Sequence, residues 1–227
     1  MPAPISVIIP TLNAADRIGP TLGALTEGLE AGLIRDLVIS DGGSEDDIER
    51  IADLAGAVFV TGSASRGGQL RRGIGMARGA WLLVLHADTV LTPGWSKVAL
   101  NHMQSAPNRA ACFRLAFDVT GFAPRMVASW ANLRTRAFSL PYGDQGLLIS
   151  RGTYDAVGGY EDIPLMEDVA MARSLSGRLD LLPHTAMTSA ARYQKDGWLR
   201  RGVRNLWTLV RYLTGTAPDR LAAAYRR

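Results

Sequence analysis

Acidic residues close several apolar runs of this chain, and carboxylates in such places can do chemistry. Asp41 follows DLVIS, Asp88 ends WLLVLHAD, and Glu167 and Asp168 stand side by side ahead of a helical segment. A carboxylate can hold a hard cation such as Mg²⁺ or Mn²⁺, accept an N–H, or take up a proton. Between the first two acids lies SASRGGQLRRG, an arginine-rich segment suited to anions. Thr11 and Asn13 follow the first apolar run, and His86 precedes Asp88 by two residues.

Several common chemistries are excluded. PTLNAADRIG after the first run is not a G-x-G-x-x-G dinucleotide fingerprint, and there is no P-loop, G-x-S-x-G or H-E-x-x-H. The single cysteine, Cys112, rules out an intramolecular disulfide and a Cys-based zinc cluster. Within ACFRLAF it reads as a buried apolar residue.

The elements that must position these groups follow from the pattern. Ile5–Pro10, Asp36–Ser40, AVFVTG and Trp81–Asp88 read as buried strands. Ile18, Leu22, Leu25 and Leu29 recur at helical spacing after Asn13. Ser44 can cap a helix that turns Ile48, Ile51 and Leu54 inward, a short helix spans Gln69–Arg78, and Pro93-Gly94 opens another. This β-α-β alternation predicts an α/β fold, a mostly parallel sheet with helices on both faces. Ligands then bind at the carboxyl ends of the strands, where Thr11, Asn13, Asp41, His86 and Asp88 lie. Farther on, Ala111–Asp118, Gly146–Ser150 and LDLLP read as strands, and the segments around Met126–Leu133 and Glu167–Leu175 as helices.

The chain has 227 residues, 47% apolar and 20% charged, enough for one folded domain with its own core. Arg192–Arg227 holds nine Arg and Lys against two Asp, while the whole chain is only +4. The high isoelectric point, about 9.6, is therefore a property of the tail. No run of 18 apolar residues is present, and MPAPISVIIP lacks the basic start of a secretory signal, so the expected location is cytoplasmic.

Six motifs, PTLN, ISDGGS, SRGGQLRRGIGMARG, LHADT, GDQG and MEDV, occur in the order seen in family 2 glycosyltransferases, and over residues 5–175 the chain resembles that family. LHADT, MEDV and the Trp- and Arg-rich tail resemble a small bacterial subgroup of it. The resemblance implies the GT-A fold, with a glycosyltransferase domain at 1–191 (donor half 1–92, acceptor and catalytic half 93–191). Residues 192–227 then form a basic amphipathic helical extension.

The resemblance also assigns roles. The donor is a nucleotide-diphospho-sugar, expected to be UDP-linked, bound by Pro10, Thr11, Asn13, Asp41, Arg66, Ala87 and Asp88, with Asp41 facing the base. Asp88 is the expected metal ligand for Mg²⁺ or Mn²⁺. His86 replaces the first acid of the family's D-x-D motif, which leaves metal dependence open. Asp168 is the expected general base of an inverting hexosyl transfer, with Glu167 beside it. Gly143, Asp144 and Gln145 are expected against sugar and acceptor. Each position has a structural alternative as a turn, cap or helix-dipole residue.

Leu199, Val203, Leu206, Val210 and Leu213 form one helical stripe, with Arg200, Arg204 and Arg211 on its flank. Such a helix fits an anionic membrane face, which favours a lipid-linked acceptor, or packs on the sheet or on a second copy in a homodimer. No nucleic-acid module accompanies the basic residues. Two rival readings stay on the table: a non-catalytic protein of the same fold, and a sugar-phosphate nucleotidyltransferase, which would open with a Gly-rich basic loop instead of PTLNAAD.

Overall fold

The apolar run Ile5–Thr11 becomes β1, inside an eight-stranded sheet. This computed structural model describes residues 3–175 and 177–225. In chain order there follow α1 (Ala15–Glu30), β2 (Ile34–Asp41), α2 (Ile48–Leu54), β3 (Val58–Thr61), α3 (Arg66–Met76), β4 (Trp81–Val84) and β5 (Thr89–Leu91). The second half adds α4 (Trp95–Ser105), β6 (Ala110–Phe117), α5 (Phe122–Phe138), a 3₁₀ turn (Gly143–Gln145), β7 (Leu147–Ser150), α6 (Arg151–Ala156) and α7 (Glu167–Ser174). Last come β8 (Leu179–Thr188), α8 (Ala191–Asp196), α9 (Trp198–Leu213) and α10 (Pro218–Tyr225).

The sheet order is β3-β2-β1-β4-β7-β6-β8-β5. β1 pairs in parallel with β2 and β4, β2 with β3, and β6 with β8. The pairs β4/β7, β6/β7 and β5/β8 are antiparallel. Successive residues of the central strands serve opposite cores. Val7, Ile9, Ile39 and Leu83 pack with α1, α2 and α4, whereas Ile8, Val38, Leu82 and Val84 pack with α3, α6 and α7. Burial on both faces explains why these strands read as continuous apolar runs rather than alternating ones. Cys112 is buried in the second of these cores, as its neighbours predicted.

Some boundaries differ from the sequence expectation. The fourth strand stops at Val84, where its pairing with β1 ends at Ile8. His86–Asp88 then form a turn, closed by the Thr89 N–H on the His86 carbonyl, that leads into β5 at the far edge. Ser44 does not cap α2: its hydroxyl is engaged with Asp41, and the helix starts after Asp47. Leu29 and Leu54 are exposed, because each falls in the last turn of its helix, beyond the sheet-facing stripe. α3 begins three residues early, at Arg66, because the Ser65 hydroxyl accepts the Gly68 N–H as a cap.

Candidate functional site

The carboxyl ends of β1 and β4 open into a cavity of about 320 Å³. Its floor is Pro10 and Thr11 from β1 and the turn His86, Ala87 and Asp88. Arg66, at the start of α3, reaches it from one side, and Tyr142, Gly143 and Asp144 from another. Asp168 enters from the first turn of α7.

Local interactions fix these segments. The Ala87 carbonyl accepts the Thr21 hydroxyl of α1 at 2.8 Å, which pins the turn bearing Asp88. Asp168 accepts the Gly143 N–H at 2.7 Å, joining α7 to the 3₁₀ turn. Gly143 itself lies against the His86 ring. A Cβ there would stand 2.4 Å from Nε2, so any larger residue would displace the imidazole. The loop before α7 crosses the start of α3, where the Gly67 N–H donates to the Ile163 carbonyl at 3.1 Å. A Cβ on Gly67 would meet the Glu161 carbonyl at 1.8 Å. Met166 holds a left-handed backbone, φ 69°, immediately ahead of the acidic pair. Such a conformation costs on the order of 1 kcal/mol in a non-glycine residue and persists because the surrounding contacts impose it.

The electrostatics of this corner are unusual. Glu167 is buried beneath Arg66, with its Oε1 3.9 Å from the guanidinium, and its Oε2 has no hydrogen-bond partner among the described residues. Burial first, then the neighbouring Asp168, raises its pKa to about 7, against the pull of Arg66. Asp144 is raised to about 6 by burial, with Asp168 and Asp88 adding to the effect and Arg134 opposing it, and its Oδ1 is likewise unpartnered among the described residues. His86 is driven down to about 3 by burial and by Arg66, so at neutral pH it is an uncharged ring. Burial, and then the charge of Arg66, also lower the pKa of Arg192, which lines the same cavity. Two guanidinium groups in one cavity favour an anion there.

Among the described residues no group of three His, Cys, Asp or Glu side chains is arranged to hold a metal ion. Asp88 and Asp144 nevertheless both line the cavity, and the buried Oδ1 of Asp144 has no hydrogen-bond partner among the described residues. That donor set suits a hard divalent cation, which commonly takes one or two protein carboxylates and completes its shell with phosphate and water.

Not every residue singled out from the sequence lies here. Asp41 is behind the floor. Its two oxygens accept the Thr11 hydroxyl (2.9 Å), the Ser44 hydroxyl and the N–H groups of Gly43 and Ser44 (2.7 Å each). Burial acts to raise its pKa, but these bonds together outweigh it and hold the carboxyl below its ordinary value. Asn13 is outside the lining too; its side chain accepts the Glu45 N–H and so ties the same turn. Gln145 is fully buried outside the lining, where its amide oxygen accepts the Thr135 hydroxyl and the Tyr142 N–H and its nitrogen donates to the Phe113 carbonyl. His184 is on β8, bonded to Thr92, and His102 bonds the Arg109 carbonyl.

The tail supplies residues that sequence reasoning passed over. Arg192, Tyr193, Arg201, Asn205 and Tyr225 complete the cavity wall. Arg201 donates to Asp196 at 2.7 Å and to the Tyr225 hydroxyl at 2.9 Å. Asn205 bridges Tyr225 and Tyr193. Helical spacing gives a signal for them: Arg201, Asn205, Thr208 and Tyr212 share the face opposite the apolar stripe.

The profile of glycosyl transferase family 2 matches residues 6–158, and the chain belongs to that family. No curated protein sequence matches it. Similar solved structures include residues 1–349 of S. aureus TarS (TM-score 0.63, 14% identity, covering 97% of this chain and 69% of that one). Another is glucosyl-3-phosphoglycerate synthase from Mycobacterium tuberculosis with Mn²⁺, UDP and glucosyl-3-phosphoglycerate (TM-score 0.57, 17% identity, 82% of this chain and 70% of that one). A third is TarS 1–349 with UDP-GlcNAc (TM-score 0.58, 13% identity, 81% and 55%). Against a longer TarS structure the match spans 35% of that chain. The fold is the GT-A fold, as the resemblance implied.

Proposed function

We propose that this protein transfers a hexosyl group from a UDP-sugar to an acceptor hydroxyl with inversion at the anomeric carbon. The observation that carries the reading is Asp168, anchored by the Gly143 N–H and lining the same cavity as Asp88 and Arg66. One carboxylate oxygen takes the acceptor proton as the acceptor oxygen attacks the anomeric carbon. The bond from that carbon to the diphosphate breaks, and the nucleoside diphosphate departs.

Arg66 and Arg192 line the cavity where the departing phosphates would gather charge, and their guanidinium groups would stabilise it. A divalent cation, Mg²⁺ or Mn²⁺, held by Asp88 and Asp144 would neutralise the same charge. Mn²⁺ and UDP in the M. tuberculosis synthase structure support a metal-assisted UDP donor in general, and UDP-GlcNAc in TarS supports a UDP-sugar. Glu167 keeps Arg66 in place from beneath. Asp41 shapes the turn on which the nucleoside rests rather than offering a free oxygen to it, and Asn13 ties that turn through its Oδ1 on the Glu45 N–H. On this reading residues 1–92 serve the donor and 93–191 mainly the acceptor, while Asp144 and, from the tail, Arg192 also reach the donor phosphates. Tyr193, stacked on Trp198, gives that wall an aromatic surface of the kind sugars rest on.

Calorimetric titration with UDP and GDP, each with and without Mn²⁺, tests the donor half. Metal-enhanced UDP binding that is lost in Asp88→Ala supports it, and absence of binding to either nucleotide overturns it. UDP release from UDP-glucose and UDP-GlcNAc then tests turnover.

A further inference from the structure

Helix α9 is turned the opposite way from an ordinary surface helix. Its inner face is Arg201, Asn205, Thr208 and Leu209, which wall the cavity or are buried behind it. Its apolar stripe points to solvent: Leu199 is 73% exposed and Trp207 62%, and Val203, Leu206, Val210 and Leu213 are all exposed. A helix packing for stability would bury such a stripe.

Helix α5 repeats the arrangement and packs against α9. Phe122, Met126, Trp130 and Leu133 fall at intervals of four, four and three, on one exposed stripe, with Phe122 83% exposed. The inner face is Ala128, Ala131, Arg134 and Thr135. Two adjacent helices therefore leave aromatic and aliphatic stripes uncovered, far more apolar surface than scattered single residues account for.

The charges around these stripes have one sign. Neither α5 nor α9 contains an Asp or Glu. Arg125 and Arg136 share one flank of the α5 stripe, and Arg200, Arg204 and Arg211 one flank of the α9 stripe; Arg204 is paired with Asp196. A second copy of the chain meeting this face would bring more arginines and, from α5 and α9, no Asp or Glu to offset them. An anionic bilayer supplies both the apolar layer and the opposite charge.

We infer that α5 and α9 together form a docking surface for an anionic membrane, with both stripes set into the headgroup boundary and the arginine flanks on lipid phosphates. Among the described residues no helix is long and apolar enough to cross a membrane, so the contact is peripheral. On the transferase reading this surface would bring the cavity, walled in part by the inner face of α9, close to a lipid-borne acceptor, whereas the membrane contact does not depend on that reading.

The test is flotation of the intact chain with vesicles of phosphatidylcholine alone and with a one-third share of phosphatidylglycerol. Salt-sensitive binding to the anionic vesicles, at least tenfold stronger than to phosphatidylcholine, is expected, together with quenching of tryptophan fluorescence by brominated lipid. The double variants Leu199→Glu/Trp207→Glu and Phe122→Glu/Trp130→Glu should each weaken binding at least tenfold and leave UDP affinity within twofold. No binding to anionic vesicles, or equal binding to both compositions, overturns the proposal. So does sedimentation showing a dimer that both double variants dissociate, if the vesicles stay unbound. Binding that survives Phe122→Glu/Trp130→Glu removes α5 from the surface.

Discussion

Asp41 and the pair Asp144 and Glu167 are both acidic regions at the end of the same sheet, yet their surroundings are opposite; Asp168, beside the pair, accepts the Gly143 and Val169 N–H groups. Asp41 is buried and saturated, with donors on both oxygens and a pKa below the ordinary range. Glu167 and Asp144 are buried and starved, each with an unpartnered oxygen among the described residues and a raised pKa. A saturated carboxylate holds a turn in one shape. A starved one stores unfavourable energy that a cation, a proton or a cationic ligand group relieves. The contrast separates what shapes the donor floor from what is poised to react, although both read from sequence as acids in loops.

The largest expected effect comes from the reactive group. Asp168→Asn keeps an oxygen for the Gly143 N–H but removes the proton acceptor. Transfer should fall by about 10²–10⁴-fold, the usual contribution of a general base. UDP affinity by calorimetry should stay within a few-fold. Wild-type turnover in this variant would return the base role to another residue and erase the distinction between the two regions. Next comes Asp88→Ala, which should abolish the Mn²⁺ enhancement of UDP binding and lower kcat/KM on the order of 100-fold through lost charge stabilisation. Unchanged Mn²⁺ dependence would place the cation on Asp144 without Asp88.

Asp41→Ala should do the reverse, costing stability more than chemistry. It strands the Gly43 and Ser44 N–H groups and the Thr11 hydroxyl, so urea denaturation should show a loss of about 2–4 kcal/mol, since each buried donor left unpaired costs about 1–3. Turnover of the fraction that remains folded should change little. A variant as stable as the wild type, with UDP binding destroyed, would make Asp41 a direct reader of the base.

Why sequence blurred this contrast is physical. The strands β1, β2 and β4 are legible because burial on both faces leaves uninterrupted apolar runs, and their ends point to Thr11, Asp41 and Asp88. Whether an acid at such an end is saturated depends on partners that folding brings near, such as Thr11, thirty positions before Asp41. Gln145 looked ready for a sugar hydroxyl, but Thr135 and Phe113 claim its amide from other elements. Arg201 and Tyr225 are more than a hundred residues from Asp88 and share its cavity only through the docking of α8–α10. The α9 stripe was plain from its spacing, but spacing cannot tell which side of the helix meets the protein.

The smallest effect is the most diagnostic of starvation. A carboxyl whose folded pKa lies above its unfolded value keeps its proton in the native state after the unfolded chain has lost it. Stability therefore falls as pH rises through that window. For Glu167 the window runs from its ordinary value of 4.5 up to about 7, and for Asp144 from 3.8 up to about 6. Wild-type protein should thus be less stable at pH 8 than at pH 5, by at most about 4 kcal/mol, since about two units for Glu167 and one for Asp144 lie above pH 5 and each is worth about 1.4. Glu167→Gln has no proton to lose, so urea midpoints at the two pH values should draw together and stability at pH 8 should rise. A slope that survives Glu167→Gln and vanishes in Asp144→Asn would move the stored energy to the 3₁₀ turn. A slope of the opposite sign in the wild type would mean that saturated carboxylates such as Asp41, whose stabilisation is lost on acidification, dominate the balance.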